Sequence, residues 1–172
     1  MPNTKPVGVA FSDPELTSGT TITGAIIDST SKVLSNIANG FTASQQGATI
    51  ATTSNSDVFV IAPAAGVLTS AVFSGVDALA ASDTNYITFS ITNLGTTGSG
   101  TAVMLAATDA NTTKTTGGTA LTANAARTLS INGTAANLVV AAGDRLRIRA
   151  AASGTLANTV TFPVYRLNFS VA

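Results

Sequence analysis

The clearest alternation in the chain is YITFSIT, from Tyr86 to Thr92. Ile87, Phe89 and Ile91 occupy one phase; Tyr86, Thr88, Ser90 and Thr92 occupy the other. Successive side chains of an extended chain point to opposite faces, so the pattern predicts a strand with one buried face. RLRIRA at 145–150 repeats it, with Leu146 and Ile148 inward and Arg145, Arg147 and Arg149 outward. Apolar or β-branched runs predict further strands at 57–62, 67–73, 101–107, 127–131 and 137–141, and a short one where Val7, Val9 and Phe11 alternate. The last stretch, 159–171, changes phase. Val160, Phe162 and Val164 share one face, and Tyr165, Leu167, Phe169 and Val171 share the other. Pro163 sits at the change and has no N–H to give to a ladder. A bulge or bend is expected there, with the strand passing from one sheet to the other.

Turn signals separate these runs: PAAG at 63–66, GTTGSG at 95–100, Asn132-Gly133 and Gly143-Asp144. The polar segment 108–122, TDANTTKTTGGTALT, is too long for a tight hairpin. About eight short strands punctuated this way predict an all-β fold, a sandwich or barrel, rather than alternating strands and helices. Residues 57–77 are apolar over a length marginal for a membrane span, but PAAG divides them into two β-rich halves. Two strands are expected, and no membrane. The N-terminus, MPNTKP, lacks the apolar run of a secretory signal.

Residues 1–55 have a different texture, rich in Thr, Ser, Gly, Asn and Gln with few large apolar side chains. Ile22, Ile26 and Ile27 stand in a Thr/Gly context. SKVLSNIAN at 31–39 has the spacing of one or two helical turns, with Gly40 as a stop. The stretch 43–57 is nearly featureless. Alone, this segment has too little apolar area to offset its ordering entropy. The expected organisation is an extended N-terminal arm over 1–55 and a β-domain over 56–172, the arm held by a partner subunit, a neighbouring chain or a larger assembly, with packing on its own domain as the alternative.

Composition narrows the chemistry. The 172 residues fit one domain with an arm. Only 9% are charged, and eight basic residues cancel eight acidic ones. Such a chain has no long-range field to gather DNA or RNA, so nucleic acid is not an expected partner. There is no Cys and no His, and Glu15 is the only Glu. The thiol nucleophile, the commonest general base and the commonest metal ligand are therefore missing. No catalytic residue, cofactor or metal site is expected, and the chain does not read as an enzyme. Gly98-Ser-Gly100 lacks the spacing of a phosphate loop and precedes a strand. Asp83-Thr-Asn85 and Asp109-Ala-Asn111 offer paired oxygens, but neither continues as a calcium loop, so Asx-type turns are the expectation. Glycosylation sequons at Asn111 and Asn132 are chance matches in a Thr-rich chain.

Arg145, Arg147 and Arg149 form the densest charge cluster, three cations along one strand face. They read either as a solvated face or as a contact with carboxylates of a neighbouring subunit, since guanidinium binds carboxylate in bidentate fashion. Arg166 either extends the patch or sits across the sheet.

The chain resembles virion structural proteins of tailed phages. The resemblance rests on the Cys-free, Thr/Ala/Gly-rich composition and on the arm MPNTKPVGVAFSDPELTSGTTITGAI. It rests also on the β pattern running from IAPAAGVLTSAVFSG through TNYITFSITNLGTTGSGTAVML to VAAGDRLRIRAAASGT and the last strand. Within that class it is most similar to capsid decoration, or cement, proteins. The resemblance implies a jelly-roll-like β-sandwich on the capsid exterior, self-associated as a homotrimer and bound to the major capsid protein. The surfaces expected to make these contacts include Val7, Val9, Phe11, Ile22 and Ile26 of the arm, with Arg145, Arg147 and Arg149. The alternative is a receptor- or glycan-binding module of a tail or head fibre, contacting its target through 93–100 and 108–122. The scarcity of aromatics weighs against a sugar platform.

Overall fold

The computed structural model describes residues 40–171, and every strand pairing in it is antiparallel. Nine strands lie among the described residues: β1 (Phe41–Gln46), β2 (Ser56–Ile61), β3 (Gly66–Ser74), β4 (Tyr86–Asn93), β5 (Ala102–Leu105), β6 (Ala126–Leu129), β7 (Val139–Val140), β8 (Arg145–Ser153) and β9 (Val164–Ser170). Two single 3-10 turns, Asp109–Asn111 and Ala135–Leu138, are the helical elements of this region.

The pairings β1–β9, β2–β8, β3–β6 and β4–β5 are those of a chain folded back on itself as one long hairpin. Its tip is the β4–β5 connection, where Gly95 and Gly98 take φ values of +65° and +86° that favour glycine. Rolling that ribbon up adds the β9–β3 and β8–β4 pairings. The result is two facing sheets, β1-β9-β3-β6 and β2-β8-β4-β5, the strand order of a jelly roll. The two-residue β7 is an extra strip on β3. The fold is an all-β sandwich, as the alternation predicts.

The core sits between the sheets. Ile87, Phe89 and Ile91 of β4 and Leu146 and Ile148 of β8 are buried, opposite Leu68 and Phe73 of β3 and Tyr165, Leu167 and Phe169 of β9. The Phe73 ring lies 4.7 Å from Phe89 across the sandwich and 5.4 Å from Tyr165 beside it. Each fully buried large side chain contributes about 1.5–3 kcal/mol.

Several sequence expectations change. Phe41–Gln46 is a strand in register with β9, so the sandwich takes in residues that the sequence assigned to the arm, and its first strand begins at 41 instead of 56. β1 shows little alternation because four of its six residues face solvent. The runs at 127–131 and 137–141 do not pair with each other across Asn132-Gly133. β6 pairs with 71–74 of β3 and β7 with 66–67, end to end along the same strand. The last strand starts only at Val164 and stays in one sheet. Before it, Val160 forms an isolated bridge with Ile50, and Phe162 turns the chain at φ +47°. The phase change at Pro163 thus marks the start of a strand, not a crossing between sheets. The segment 57–77 divides at Pro63 into β2 and β3, which belong to different sheets. No helix among the described residues is long and apolar enough to cross a membrane.

Candidate interaction surface

β8 runs through the interior of the four-stranded sheet, and its alternation sets the two faces. Leu146, Ile148 and Ala150 point into the core; Arg145, Arg147 and Arg149 point outward. Register places Arg149 between Asp57 and Ser90, Arg147 between Phe59 and Thr92, and Arg145 beside Ile61. Thr92 in turn faces Val103 of β5. One row therefore crosses the whole sheet as Phe59, Arg147, Thr92 and Val103.

The three arginines are not equivalent. Arg149 holds Asp57 in a bidentate pair, Nε to Oδ1 at 2.7 Å and Nη2 to Oδ2 at 2.6 Å. Those bonds hold the Asp57 carboxyl below its usual range and raise the Arg149 guanidinium. Arg145 and Arg147 have no carboxylate partner among the described residues. Arg166 lies on the other sheet, in β9, so it does not extend the patch.

Beside the two unpaired guanidiniums stand large apolar side chains. Phe59 is 55% exposed and Ile61 64%. Both lie on β2, an edge strand. The run Asp57 to Ala62 reads in sequence as a short buried strand. Of these residues Val60 and Ala62 are buried, while Val58 packs half-buried against the core. The usable signal was Asp57, which shares the phase of Phe59 and Ile61 and so marks that phase as outward.

The carboxylates of the described region are all engaged internally. Asp77 accepts the Thr161 N–H at 2.7 Å and its hydroxyl at 2.5 Å, and Asp83 accepts the Thr116 N–H at 2.8 Å. These bonds keep both carboxyls below the usual range. Asp109 pairs with Lys114 at 2.7 Å, and Lys114 also lies 4.8 Å from the Tyr86 ring centre. Buried Asp144 accepts the Asn93 amide at 2.8 Å and the Ala141 N–H at 2.9 Å, tying the end of β4 to the turn between β7 and β8.

The long polar loop is pinned rather than loose. Asn111 is 1% exposed; its amide donates to the Ala106 and Ser130 carbonyls, and its oxygen accepts the Ser130 N–H. That burial closes its sequon to a glycan. Thr113, fully buried, accepts the Ile87 N–H at 2.8 Å. Arg127 donates to the carbonyls of Thr119, Ala110 and Thr112 at 2.7–3.1 Å and lies 5.7 Å from the Phe89 ring centre. The oxygens of Asp83, Asn85, Asp109 and Asn111 thus serve turns and loop contacts.

One phenol departs strongly from its ordinary behaviour. Tyr165 lies in the core, its hydroxyl has no protein hydrogen-bond partner, and burial pushes its pKa up, aided by the Asp57 charge. Enclosed between the sheets, it is out of reach of a substrate. The surface depressions are shallow. One of about 340 Å³ lies along Phe41, Thr42, Thr69 and Asn168; another of about 290 Å³ lies between Val76, Asn124, Phe162 and Val164. Val7, Val9, Phe11, Ile22 and Ile26 lie outside the described residues.

No protein family, curated protein or solved structure matches the chain.

Proposed function

We propose that this chain is a structural subunit that acts by protein contact within a virus particle, a capsid decoration protein of the tailed-phage type. In this reading it binds the major capsid protein on the outside of the assembled head, as a homotrimer. The observation that carries the reading is the outer face of the four-stranded sheet, where Phe59 and Ile61 stand beside two guanidiniums with no carboxylate partner among the described residues. Jelly rolls serve as viral capsid domains and as lectin domains, which fits without deciding, because a fold hosts many functions. The low charge limits repulsion between identical copies packed in an array. Binding only the assembled shell stabilises that shell by mass action.

The test is a copy count. Particles are purified from the host that carries the gene, and peptides of this chain are quantified against those of the major capsid protein. Hundreds of copies per particle are expected. A handful would move the assignment to the fibre alternative, and none would overturn it. Light scattering on the purified chain checks the trimer: a species at three times 17.0 kDa is expected, and a 17.0 kDa monomer would remove the preformed trimer from the proposal.

A further inference from the structure

We infer that the outer face of the four-stranded sheet, centred on Phe59, Ile61, Arg145 and Arg147, docks an apolar protein segment that carries carboxylates. This deepens the structural-subunit reading by naming the contact surface and the chemistry of its partner.

Three observations meet at this face. The first is apolar exposure at an edge. Natural edge strands are usually blunted by charge, proline or a bulge. β2 pairs with β8 in continuous register over all six residues, and it carries no proline and no bulge. Its one charge, Asp57, is already neutralised by Arg149. Phe59 and Ile61 thus stand uncovered on a regular edge strand, the pattern of a surface built to be covered.

The second is charge. Arg145 and Arg147 are two residues apart on one strand face, roughly 7 Å along the chain. The carboxylates at 57, 77, 83, 109 and 144 are each held by other groups, so none is left to pair with them within the described region. Within the described region the two guanidiniums therefore offer positive charge to whatever covers this face.

The third excludes a second copy lying symmetrically on the same face. A two-fold contact presents the same patch from both sides. Arg145 and Arg147 of both copies would then share one interface, in which the only carboxylate of the patch is the occupied Asp57. Like charges brought together in an interface oppose association. The complement is therefore a different surface, apolar to cover Phe59 and Ile61 and acidic to pair the two guanidiniums.

The direct experiment is a titration of the ¹⁵N-labelled full chain with a capped peptide, Val-Asp-Phe-Asp-Val-Asp, and with its counterpart in which Lys replaces each Asp. Saturable amide shifts are expected for the acidic peptide at 57–61 and 145–149, with a dissociation constant below about 1 mM. They weaken at high salt, and the Lys peptide produces none. Each of Arg145→Ser and Arg147→Ser is expected to lower affinity roughly tenfold, the usual weight of a charge-assisted hydrogen bond. Phe59→Ser, a substitution at an exposed site, serves as a second variant and is also expected to weaken binding. The proposal is overturned if no saturable shift occurs, if both peptides act alike, or if the shifts centre on the five-stranded sheet.

Capsid particles stripped of this chain separate the two ideas. Wild type binding while R145S/R147S does not supports both. Equal binding by wild type and variant overturns the docking face and leaves the decoration reading standing. Specific peptide binding without particle binding supports the docking face and overturns the decoration reading.

Discussion

On the outside of the five-stranded sheet, Thr42, Asn168 and Ser70 lie side by side and bond one another: the Thr42 hydroxyl donates to Asn168 at 2.9 Å, and the Asn168 amide donates to Ser70 at 2.7 Å. On the outside of the four-stranded sheet, the matching rows hold Phe59, Arg147 and Val103, and Ile61 beside Arg145. The first face ties these three polar groups to one another and carries a single cation, Arg166, in a row with Ser44, Val72 and Thr128 and likewise without a carboxylate partner among the described residues. The second leaves apolar area and two positive charges without partners among the described residues. Both sheets present aromatic and branched aliphatic residues to one shared core. Two faces of one sandwich can thus be equal inside and differ outside, because the pleat makes the two sets of side chains independent.

The comparison breaks first if the inside is not shared. Phe73→Ala removes a ring from the five-stranded sheet, and Phe89→Ala removes its partner from the four-stranded one. Each is expected to cost about 3–5 kcal/mol in urea unfolding. The double variant should cost less than the sum, because the rings touch. Strict additivity would mean that the sheets do not pack as one core.

Next in size is the tie between the sheets. Arg127 belongs to β6 but lies over Phe89 and holds three carbonyls of the long loop. Arg127→Met is expected to cost about 1.5–3 kcal/mol and to speed hydrogen exchange in 108–122. Stability within about 0.5 kcal/mol of wild type, with exchange unchanged, would show that the loop is held without it.

Tyr165→Phe removes a buried hydroxyl that has no protein partner. Stability at pH 7 should hold or rise by up to about 1 kcal/mol. At alkaline pH the variants diverge. The native phenol has a raised pKa, so the unfolded chain ionises first, binds fewer protons, and gains relative to the folded state above about pH 10. Wild-type stability should therefore fall more steeply there than that of Tyr165→Phe; parallel curves would contradict the burial of the hydroxyl.

The smallest effect concerns the one paired arginine of the outer face. Asp57→Asn is expected to cost about 0.5 kcal/mol at neutral pH, since the pair is partly solvated. The native carboxyl titrates below its unfolded value, so its contribution is present above the ordinary carboxylate range and is lost as pH falls through the folded value. Wild type and variant should converge in acid. The substitution also frees a third guanidinium, and the acidic peptide should bind it more tightly.

Much of this architecture was legible because alternation is a local signal. Ile87, Phe89 and Ile91 announced a buried face without reference to any partner strand, and Leu146 and Ile148 did the same for β8. Where the alternation failed, so did the reading. β1 is mostly solvent-facing and left no apolar phase to detect. Asn132-Gly133 marks a turn between the runs that hold β6 and β7 but does not say which strand each pairs with, and both take β3 as their neighbour. The continuous apolar run of β2 hid the outward phase of Phe59 and Ile61, and the cluster of three arginines concealed that one of them was already paired with Asp57.

The sequence by itself determined that this chain would fold as β-structure, which side chains of its best-patterned strands would point inward, and which chemistries its missing His and Cys would remove. These follow from a two-residue period and from composition, both readable within a few positions. Only the tertiary structure decided the strand order, the pairing of Asp57 with Arg149 across 92 residues, and the isolation of Arg145 and Arg147 beside two exposed apolar side chains. Those depend on which distant strand lies alongside. Hydrogen-bonded ladders accept any extended chain, so that choice is settled by the packing of the whole core and not by any local run of residues.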